Sequence, residues 1–333
     1  MSAATAPLDA PARPGDALAA TARRNAWTLG LLGFLVLLLV FTKLIQPNYG
    51  VTGVKGLAIS VLPLALAAVA QAVVVIAGGI DLSIGSMMAL ASVVSALLMK
   101  DQSDGVGVAV VIGVLLLGLA LGAVNGTLVV LTRVPDIVVT LAMSFVWAGC
   151  ALLVLKTPGG ASAVWLKELV TGSIGSEWIP RAALTLIAVV AVIWIPVRRS
   201  RLGLSMYAIG SNRLAAFRSG VPVGRTKIFA YVLTGLFAAL GGLSLTASTG
   251  IGTPVPGPYT LLSVAAVVLG GVSLAGGRGG VFGPIIAVVI LQLIRTDMTF
   301  LNVNTNLAVV AQGAILIGVV MVGSLIQMRR TRA

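Results

Sequence analysis

The chain has 333 residues, of which 58% are hydrophobic and 9% are charged, whereas a soluble domain usually carries about 25% charged residues. This composition excludes an ordinary soluble protein and predicts an integral membrane protein. The net charge of +13 does not indicate nucleic-acid binding, because the basic residues lie between apolar segments, as expected for positive charge held on the cytoplasmic side of a membrane.

The apolar segments predict an all-α bundle of about ten transmembrane helices, because a helix needs about 20 apolar residues to cross the hydrocarbon core. Residues 1–26 are rich in Ala and Pro and predict a disordered cytoplasmic tail, and residues 327–333 predict a basic cytoplasmic tail. The transmembrane domain between them, 27–326, includes an outer loop at 156–181 and a cytoplasmic loop at 198–227. The predicted helices are 27–46, 56–77, 82–99, 107–130, 137–155, 182–197, 227–249, 259–275, 281–296 and 306–326.

The distribution of the basic residues predicts the orientation of the bundle. With the N-terminus inside the cell, most Lys and Arg residues, including all those of loop 198–227, fall on the cytoplasmic side. Shifting the count by one helix after residue 155 would place this basic loop outside. We therefore expect an even number of crossings, with the N- and C-termini both in the cytoplasm of a bacterial cell and the chain in its inner membrane.

Two separated segments share one pattern and predict a repeat of broken helices. Residues 74–94 and 267–289 each run apolar, then Gly-Gly, then small and polar, then apolar again. Such breaks tend to line the pathway of transporters. We expect Asp81 to lie at the cytoplasmic end of two helices, where water can reach it, and to cap the following helix; a proton site is the alternative. The predicted pathway or gate residues are Gly78, Gly79, Asp81, Ser83, Asn125, Gly270, Gly271 and Ser273.

The cytoplasmic loop 198–227 has many basic residues, no acidic ones, and the signals of a short helix. Ser211 or Asn212 can accept from the free N–H groups of a helix N-terminus. Gly220 suits a left-handed position after the helix, and Pro222 blocks its continuation. A solvated basic loop is the alternative. The two caps favour a docking helix that lies in a groove of a cytoplasmic partner.

The segment AIGSNRLAAFRSGV (208–221) resembles the coupling helix of ATP-binding-cassette importer permeases, whose pattern is Glu-Ala-Ala, three residues, then Gly. Ala215, Ala216 and Gly220 match this pattern. Leu214 stands where the pattern has glutamate, so a salt bridge made by that glutamate has no counterpart here. The resemblance implies a coupling helix to the ATPase that consists of Ser211, Asn212, Arg213, Leu214, Ala215, Ala216, Phe217, Arg218 and Gly220.

Three further segments, 78–90, 125–143 and 265–287, are similar to the sugar branch of that family, the permeases of ribose, xylose, arabinose and related uptake systems. The resemblance covers roughly residues 60–325. It implies a homodimer of permeases, a cytoplasmic ABC ATPase that binds ATP and Mg²⁺, and an extracytoplasmic sugar-binding protein. Part of outer loop 156–181, which carries Trp165 and Trp178, would receive the binding protein or act as an interfacial anchor.

Several classes of chemistry have little support in the residues. The chain has no histidine and one cysteine, Cys150, so a metal site or an imidazole base is not expected. The segment GGVSLAGGRGG lacks the Gly-Lys-Ser/Thr that follows the glycines of a P-loop, so nucleotide is expected on a partner chain. We therefore expect no catalytic residue, no cofactor and no enzyme activity in this chain, and no nucleic-acid partner.

The polar residues predicted at membrane depth are mostly uncharged, which suits a neutral polyol; the alternative is that they bond neighbouring helices. The leading hypothesis is a permease that moves a monosaccharide or similar polyol by alternating access. An ion-coupled secondary transporter is the second hypothesis, and it would need an ionisable group such as Asp81 within the membrane. These polar residues are Gln71, Asp81, Ser83, Ser86, Asn125, Thr140, Ser144, Thr234, Gln292, Asn306 and Gln312.

Overall fold

The computed structural model describes residues 26–304 and, beyond them, residues 307, 310, 313, 314, 318 and 321. Apart from residue 26, the predicted tails at 1–26 and 327–333 lie outside the described residues. Most of the predicted last helix, 306–326, also lies outside them, including Asn306 and Gln312.

The described part of the chain is mainly helical, and every segment predicted up to residue 296 coincides with a helix. The helix Arg181–Arg199 contains a π-helical turn at Val190–Trp194. The helices are α1 (Ala26–Ile45), α2 (Val51–Ile76), α3 (Ile84–Met99), α4 (Asp104–Thr132), α5 (Asp136–Val154), α6 (Val164–Thr171), α7 (Arg181–Arg199), α8 (Arg201–Ser211), α9 (Arg213–Arg218), α10 (Val223–Thr249), α11 (Tyr259–Leu269) and α12 (Phe282–Phe300).

The loops hold more structure than the sequence indicated. In loop 156–181, α6 is followed by a short antiparallel hairpin of β1 (Ser173–Ile174) and β2 (Ser176–Pro180). Gly175 turns this hairpin with φ 66°, a value that glycine adopts without a steric penalty. Loop 198–227 contains two helices, α8 and α9, where only one was expected.

Seven helices in the described part of the chain are long and apolar enough to cross a membrane: α1, α2, α4, α5, α7, α10 and α12. The apolar helices α3 and α11 are shorter, with 16 and 11 residues. At 1.5 Å per residue they cover about 24 Å and 16 Å, less than the hydrocarbon core of about 30 Å. α11 ends at Leu269, short of the predicted residue 275. Each short helix therefore adjoins one of the two predicted breaks.

The core is built around α2, in which all residues from Val61 to Ile76 are buried. α2 packs against α10, α12 and α11, and α3 is buried along most of its length. α1, α5 and α7 instead expose large apolar side chains, such as Leu153 and Val192, which are 85% and 73% exposed in the single chain. Side chains of this kind are expected at a lipid-facing surface. The central helices are therefore shielded by an outer layer of membrane-compatible helices.

Glycines let α4 and α10 pack with their backbones close together. Gly118, Gly122 and Gly126 are spaced four residues apart on one face of α4. A Cβ on any of them would collide with the backbone of α10, for example with the carbonyl of Tyr231 at Gly122. Small residues at this spacing are a common means of helix association in membranes. This packing fixes α10 against α4 next to the candidate site.

The two ends of the bundle differ in charge. One end, here called the basic end, carries Arg133 at the end of α4, Lys227 at the start of α10, and the basic residues of α8 and α9. The opposite end carries α6 and the β-hairpin. Both breaks, 77–83 and 270–281, meet α8 at the basic end.

Candidate functional site

The short helix α9 at the basic end has the predicted caps. The Asn212 side chain accepts from the Ala215 N–H at 2.9 Å, so Asn212 is the N-cap, whereas Ser211 is the last residue of α8. Gly220 has φ 81° and donates to the Phe217 carbonyl. Val221 donates to the Ala216 carbonyl, which completes a Schellman motif. These caps hold a six-residue helix that is too short to be stable alone.

The outward face of α9 borders an apolar groove. Leu214 and Phe217 are 59% and 66% exposed, whereas Ala216 is buried against the rest of the protein. The groove has a volume of about 710 Å³, and Arg213 and Arg225 stand at its edge. Exposed apolar surface with a polar rim is typical of a protein-interaction site. Its remaining lining residues are Val130, Val221, Pro222, Val223 and Gly224.

The end of α8 lies directly against both helix breaks. We call this contact the glycine junction, defined by Gly78, Gly210, Gly276 and Gly277. Gly78 and Gly276 both approach the backbone of Gly210, and Gly277 donates its N–H to the Ile76 carbonyl at 3.0 Å. Only residues without a Cβ can come this close. The junction connects the loop that carries α9 to both halves of the predicted repeat.

Tyr207 and Ser211 add side-chain contacts to the glycine junction. The Tyr207 hydroxyl donates to the Gly279 carbonyl at 2.8 Å, and the Ser211 hydroxyl donates to the Gly277 carbonyl at 3.4 Å. Burial raises the pKa of the Tyr207 hydroxyl, so it stays protonated and can donate at physiological pH. Movement of α8 would therefore pull on the second break as well as on the first.

Most of the predicted gate residues of the first break are buried in the bundle, and Gly78 is the one that is exposed. Asp81 is completely buried, contrary to the expectation that water reaches it, because α4, α5 and α10 cover the break. Its Oδ1 accepts from the Ser83 N–H at 2.8 Å and from the Ser83 hydroxyl at 2.6 Å. Asn125 donates to the Ser83 hydroxyl at 2.7 Å and accepts from the Trp147 indole N–H. Asp81, Ser83 and Asn125 thus form one buried hydrogen-bonded chain.

The predicted gate residues of the second break lie between α11 and α12. Gly270 packs against Gly283 and Pro284, and Gly271 has φ 78° and faces the Trp27 ring. The Trp27 indole donates to the Leu269 carbonyl at 2.9 Å, which ties α1 to the end of α11. Ser273 donates its N–H to the Arg278 carbonyl and accepts from Gly276. The glycine junction joins this second break to the first.

An ion pair beneath the first break was not predicted. Lys227 on α10 contacts Asp136 on α5 at 2.7 Å, with side-chain exposures of 11% and 14%. The Tyr231 hydroxyl donates to the other Asp136 oxygen at 2.9 Å. Gly79 lies on this pair, since a Cβ there would be 2.5 Å from Asp136 Oδ2. The i, i+4 spacing of Lys227 and Tyr231 placed them on one face of a helix, but no local signal identified Asp136 as their partner.

The described residues contain no group of three or more His, Cys, Asp or Glu side chains that could hold a metal ion. The polar groups around the first break are backbone amides, hydroxyls, the Asp81 carboxyl, the Asn125 amide and the Lys227–Asp136 pair. These groups can hold backbone segments together by hydrogen bonds and ion pairs, and such bonds can be broken and re-formed without covalent chemistry.

The structure is a polytopic helical bundle with two helix breaks and a capped short helix at its basic end. The family described as branched-chain amino acid transport system, permease component, matches residues 53–320, and the chain belongs to it. It is a multi-pass permease of the bacterial inner membrane.

Several curated relatives are similar over most of their length. The D-allose transport system permease of Escherichia coli (strain K12) is 32% identical over 255 residues, which cover 76% of this chain and 77% of the relative. The ribose import permease of the same strain is 30% identical over 305 residues, 90% of this chain and 94% of the relative. The L-arabinose ABC transporter permease of Azospirillum brasilense is 32% identical over 327 residues, 95% of each chain. No solved structure matches the chain significantly.

Proposed function

We propose that the chain is the membrane subunit of an ATP-driven importer that moves a monosaccharide or similar small polyol across the inner membrane. The observation that carries this proposal is the direct connection between the exposed groove at α9 and both helix breaks through the glycine junction. A docking surface joined to two breaks can convert a partner's movement into opening or closing of a pathway. The similarity to permeases for allose, ribose and arabinose supports a sugar as the substrate.

The proposed assembly contains two copies of the chain, a cytoplasmic ABC ATPase and an extracytoplasmic sugar-binding protein. A two-fold homodimer is the simplest closed arrangement. The proposed topology has about ten transmembrane helices between 27 and 326, with the N-tail 1–26 and the C-tail 327–333 in the cytoplasm. The basic end then faces the cytoplasm, in agreement with the positive-inside rule. Loop 156–181, with α6 and the hairpin, then faces the binding protein.

The proposed mechanism is alternating access without covalent chemistry in this chain. ATP and Mg²⁺ are bound by the partner ATPase, which engages the coupling helix from Ser211 to Gly220. Closure of the ATPase would move α8 and α9, and the glycine junction would pass this movement to the breaks that carry the proposed gate residues. The binding protein and ATP must each favour a different state of the permease, because a ligand shifts a conformational equilibrium only through differential affinity.

Uptake by the reconstituted complex tests the energy source. We expect D-ribose, D-allose or L-arabinose to enter proteoliposomes only when ATP, the ATPase and the binding protein are present. Uptake should persist when ionophores collapse the proton and sodium gradients. An ion-coupled transporter is the competing function, and the buried Asp81 Oδ2, which lacks a hydrogen-bond partner among the described residues, favours it. Uptake that follows an ion gradient without ATP would establish that function instead.

The exposed face of α9 provides a test of docking. Phe217→Asp or Leu214→Asp should reduce co-purification of the ATPase by about tenfold or more, because a carboxylate in an apolar interface must lose its hydration. Both side chains are more than half exposed in the single chain, so folding should be largely retained. Leu204→Asp on α8 is the matched control, since Leu204 is 64% exposed and does not line the groove. Equal ATPase recovery from all three variants would contradict the proposed docking surface.

A further inference from the structure

The segment 251–258, which joins α10 to α11, is irregular and runs along α3. Gly252 pairs with Gly159 of the outer loop and lies against Val93 and Ala96, near the end of α3. Eight residues further on, in the first turn of α11, the Thr260 hydroxyl accepts from the Gly85 N–H in the first turn of α3 at 2.9 Å. Gly85 and Ala96 are separated by about 16 Å of helix. An extended chain covers that distance in about five residues, so the segment descends deep into the bundle.

The sequence keeps this segment out of a helix. Residues 253–258 read TPVPGP, with proline at every second position. Each proline fixes φ near −65° and has no N–H, which favours an extended conformation and removes half of the donors of the segment. The N–H groups of Thr253, Val255 and Gly257 remain, and none of them donates to any residue in the described part of the chain.

The same residues lie on the surface of the single chain. Thr253, Val255 and Gly257 are exposed, and Val255 is 64% exposed, whereas the alternating Pro254 is buried. An unpaired backbone polar group in lipid costs several kcal/mol, so irregular backbone at membrane depth is found only where protein buries it or water reaches it. Lipid is therefore excluded as the neighbour of this face.

A small cavity beside the segment favours water. About 140 Å³ of space separates Thr253 and Gly257 from Gly85 at the start of α3 and from Thr249 at the end of α10. A water molecule occupies about 30 Å³ in the liquid, so several waters fit there. The Thr249 and Thr253 hydroxyls and the Gly257 backbone supply polar groups that can exchange hydrogen bonds with water or with a polyol. The rest of the lining is mainly apolar and consists of Ala89, Leu245, Val255, Pro256 and Tyr259. The Thr253 hydroxyl makes no hydrogen bond with any described residue.

We propose that segment 251–258 lines the water-filled path of the transported sugar, and that Thr253 is a specificity-determining residue on it. This inference rests on the proposed importer function and names the surface on which the sugar is bound during passage. The unpaired N–H groups act as fixed hydrogen-bond donors to a neutral polyol, so no ionic group is needed. The path then runs beside α3 and meets the buried gate residues from their outer side.

Reactivity of single cysteines tests water access in the assembled complex. In a Cys150→Ser background, Val255→Cys should react with a charged, membrane-impermeant methanethiosulfonate reagent about tenfold or more faster than Val192→Cys. The two positions are a matched pair, because both are valines and both are largely exposed in the single chain, but Val192 lies within the span of α7. D-Ribose, D-allose or L-arabinose, whichever is transported, should slow the reaction at Val255→Cys during transport.

Two results would overturn this inference. Reaction at Val255→Cys as slow as at Val192→Cys would show that a second copy of the chain covers the segment, and a disulfide between two copies would identify that contact. Fast reaction without sugar protection, in a complex that imports sugar with ATP, would show that water but not sugar uses this surface. Failure of ATP-driven uptake would instead contradict the proposed function. The rate of labelling at Val255→Cys does not depend on uptake and still reports water access.

Thr253→Val should raise the KM for the transported sugar by about threefold to tenfold, since it replaces one hydroxyl with a methyl group of similar volume. Thr253→Ser retains the hydroxyl and should restore the KM to within about twofold. A KM unchanged in Thr253→Val would remove Thr253 from the path. A KM raised equally in both variants would indicate a structural role instead.

Discussion

Gly210→Ala is expected to reduce sugar uptake by about tenfold or more while the permease still assembles with its ATPase. Gly210 lies near the end of α8, and its missing side chain leaves room for the backbone of both breaks. A Cβ there would collide with the Ile76 carbonyl and would lie 2.5 Å from the Gly277 nitrogen. Both neighbours are backbone atoms, so no side-chain rotation can relieve the clash.

The clash can be relieved only by moving α8 away from the breaks. Overpacking of this kind costs about 1–3 kcal/mol, and 1.4 kcal/mol corresponds to a factor of ten in an equilibrium. Because α8 precedes α9 by one residue, separation of α8 from the breaks would interrupt transmission without removing the docking surface. We therefore expect ATPase co-purification to stay near the wild-type level while uptake falls.

Gly149→Ala is the matched control for this experiment. Gly149 is also a helical glycine, and a Cβ at this position meets nothing within 4 Å. Alanine in a helix interior is more favourable than glycine by roughly 0.5–1 kcal/mol, so this variant should transport normally. Wild-type uptake by Gly210→Ala would mean that the glycine junction does not transmit movement. Size-exclusion chromatography would show whether Gly210→Ala folds. If it does not fold, Ser211→Ala is the second variant to measure, because it removes only the contact to Gly277.

The features that the sequence predicted well are those set by local residues. Long apolar runs gave the positions of the helices up to residue 296, because each run alone is long enough to be judged against the bilayer. The caps of α9 were also predictable, because Asn212 and Gly220 act on N–H and carbonyl groups within a few residues of themselves. The Gly-Gly pairs likewise located both breaks.

The features that the sequence did not predict depend on residues far apart in the chain. The burial of Asp81 is due to α4, α5 and α10, which close over the break from distant segments. Hydropathy extended α11 to residue 275, because the turn at Gly270 and Gly271 is surrounded by residues that are apolar enough for a helix. The glycine junction unites Gly78, Gly210 and Gly276, and no pattern within one segment shows that such glycines meet.

The Lys227–Asp136 pair is the other position where a single substitution should have a large effect. Lys227→Met should lower the free energy of unfolding by about 3 kcal/mol, at the low end of the range for a broken buried ion pair, because the Asp136 carboxylate would lose its counter-charge. Tyr231→Phe removes only one hydrogen bond to Asp136 and should cost about 1 kcal/mol. Denaturant unfolding of the detergent-solubilised permease would measure both values.

The double variant Lys227→Met/Asp136→Asn separates the value of the pair from the cost of leaving one charge unpaired. With both charges removed, we expect the protein to regain most of the stability lost in Lys227→Met, since the desolvated carboxylate is gone. Strictly additive losses would mean that the two side chains do not interact in solution. Asp136 of this pair also packs against Gly79, and the Tyr231 hydroxyl lies 3.5 Å from the Ile80 carbonyl oxygen. If the pair holds the first break in one position, the double variant should remain folded and yet transport sugar more slowly than the wild type. Its restored stability would show that this loss of transport is not due to unfolding.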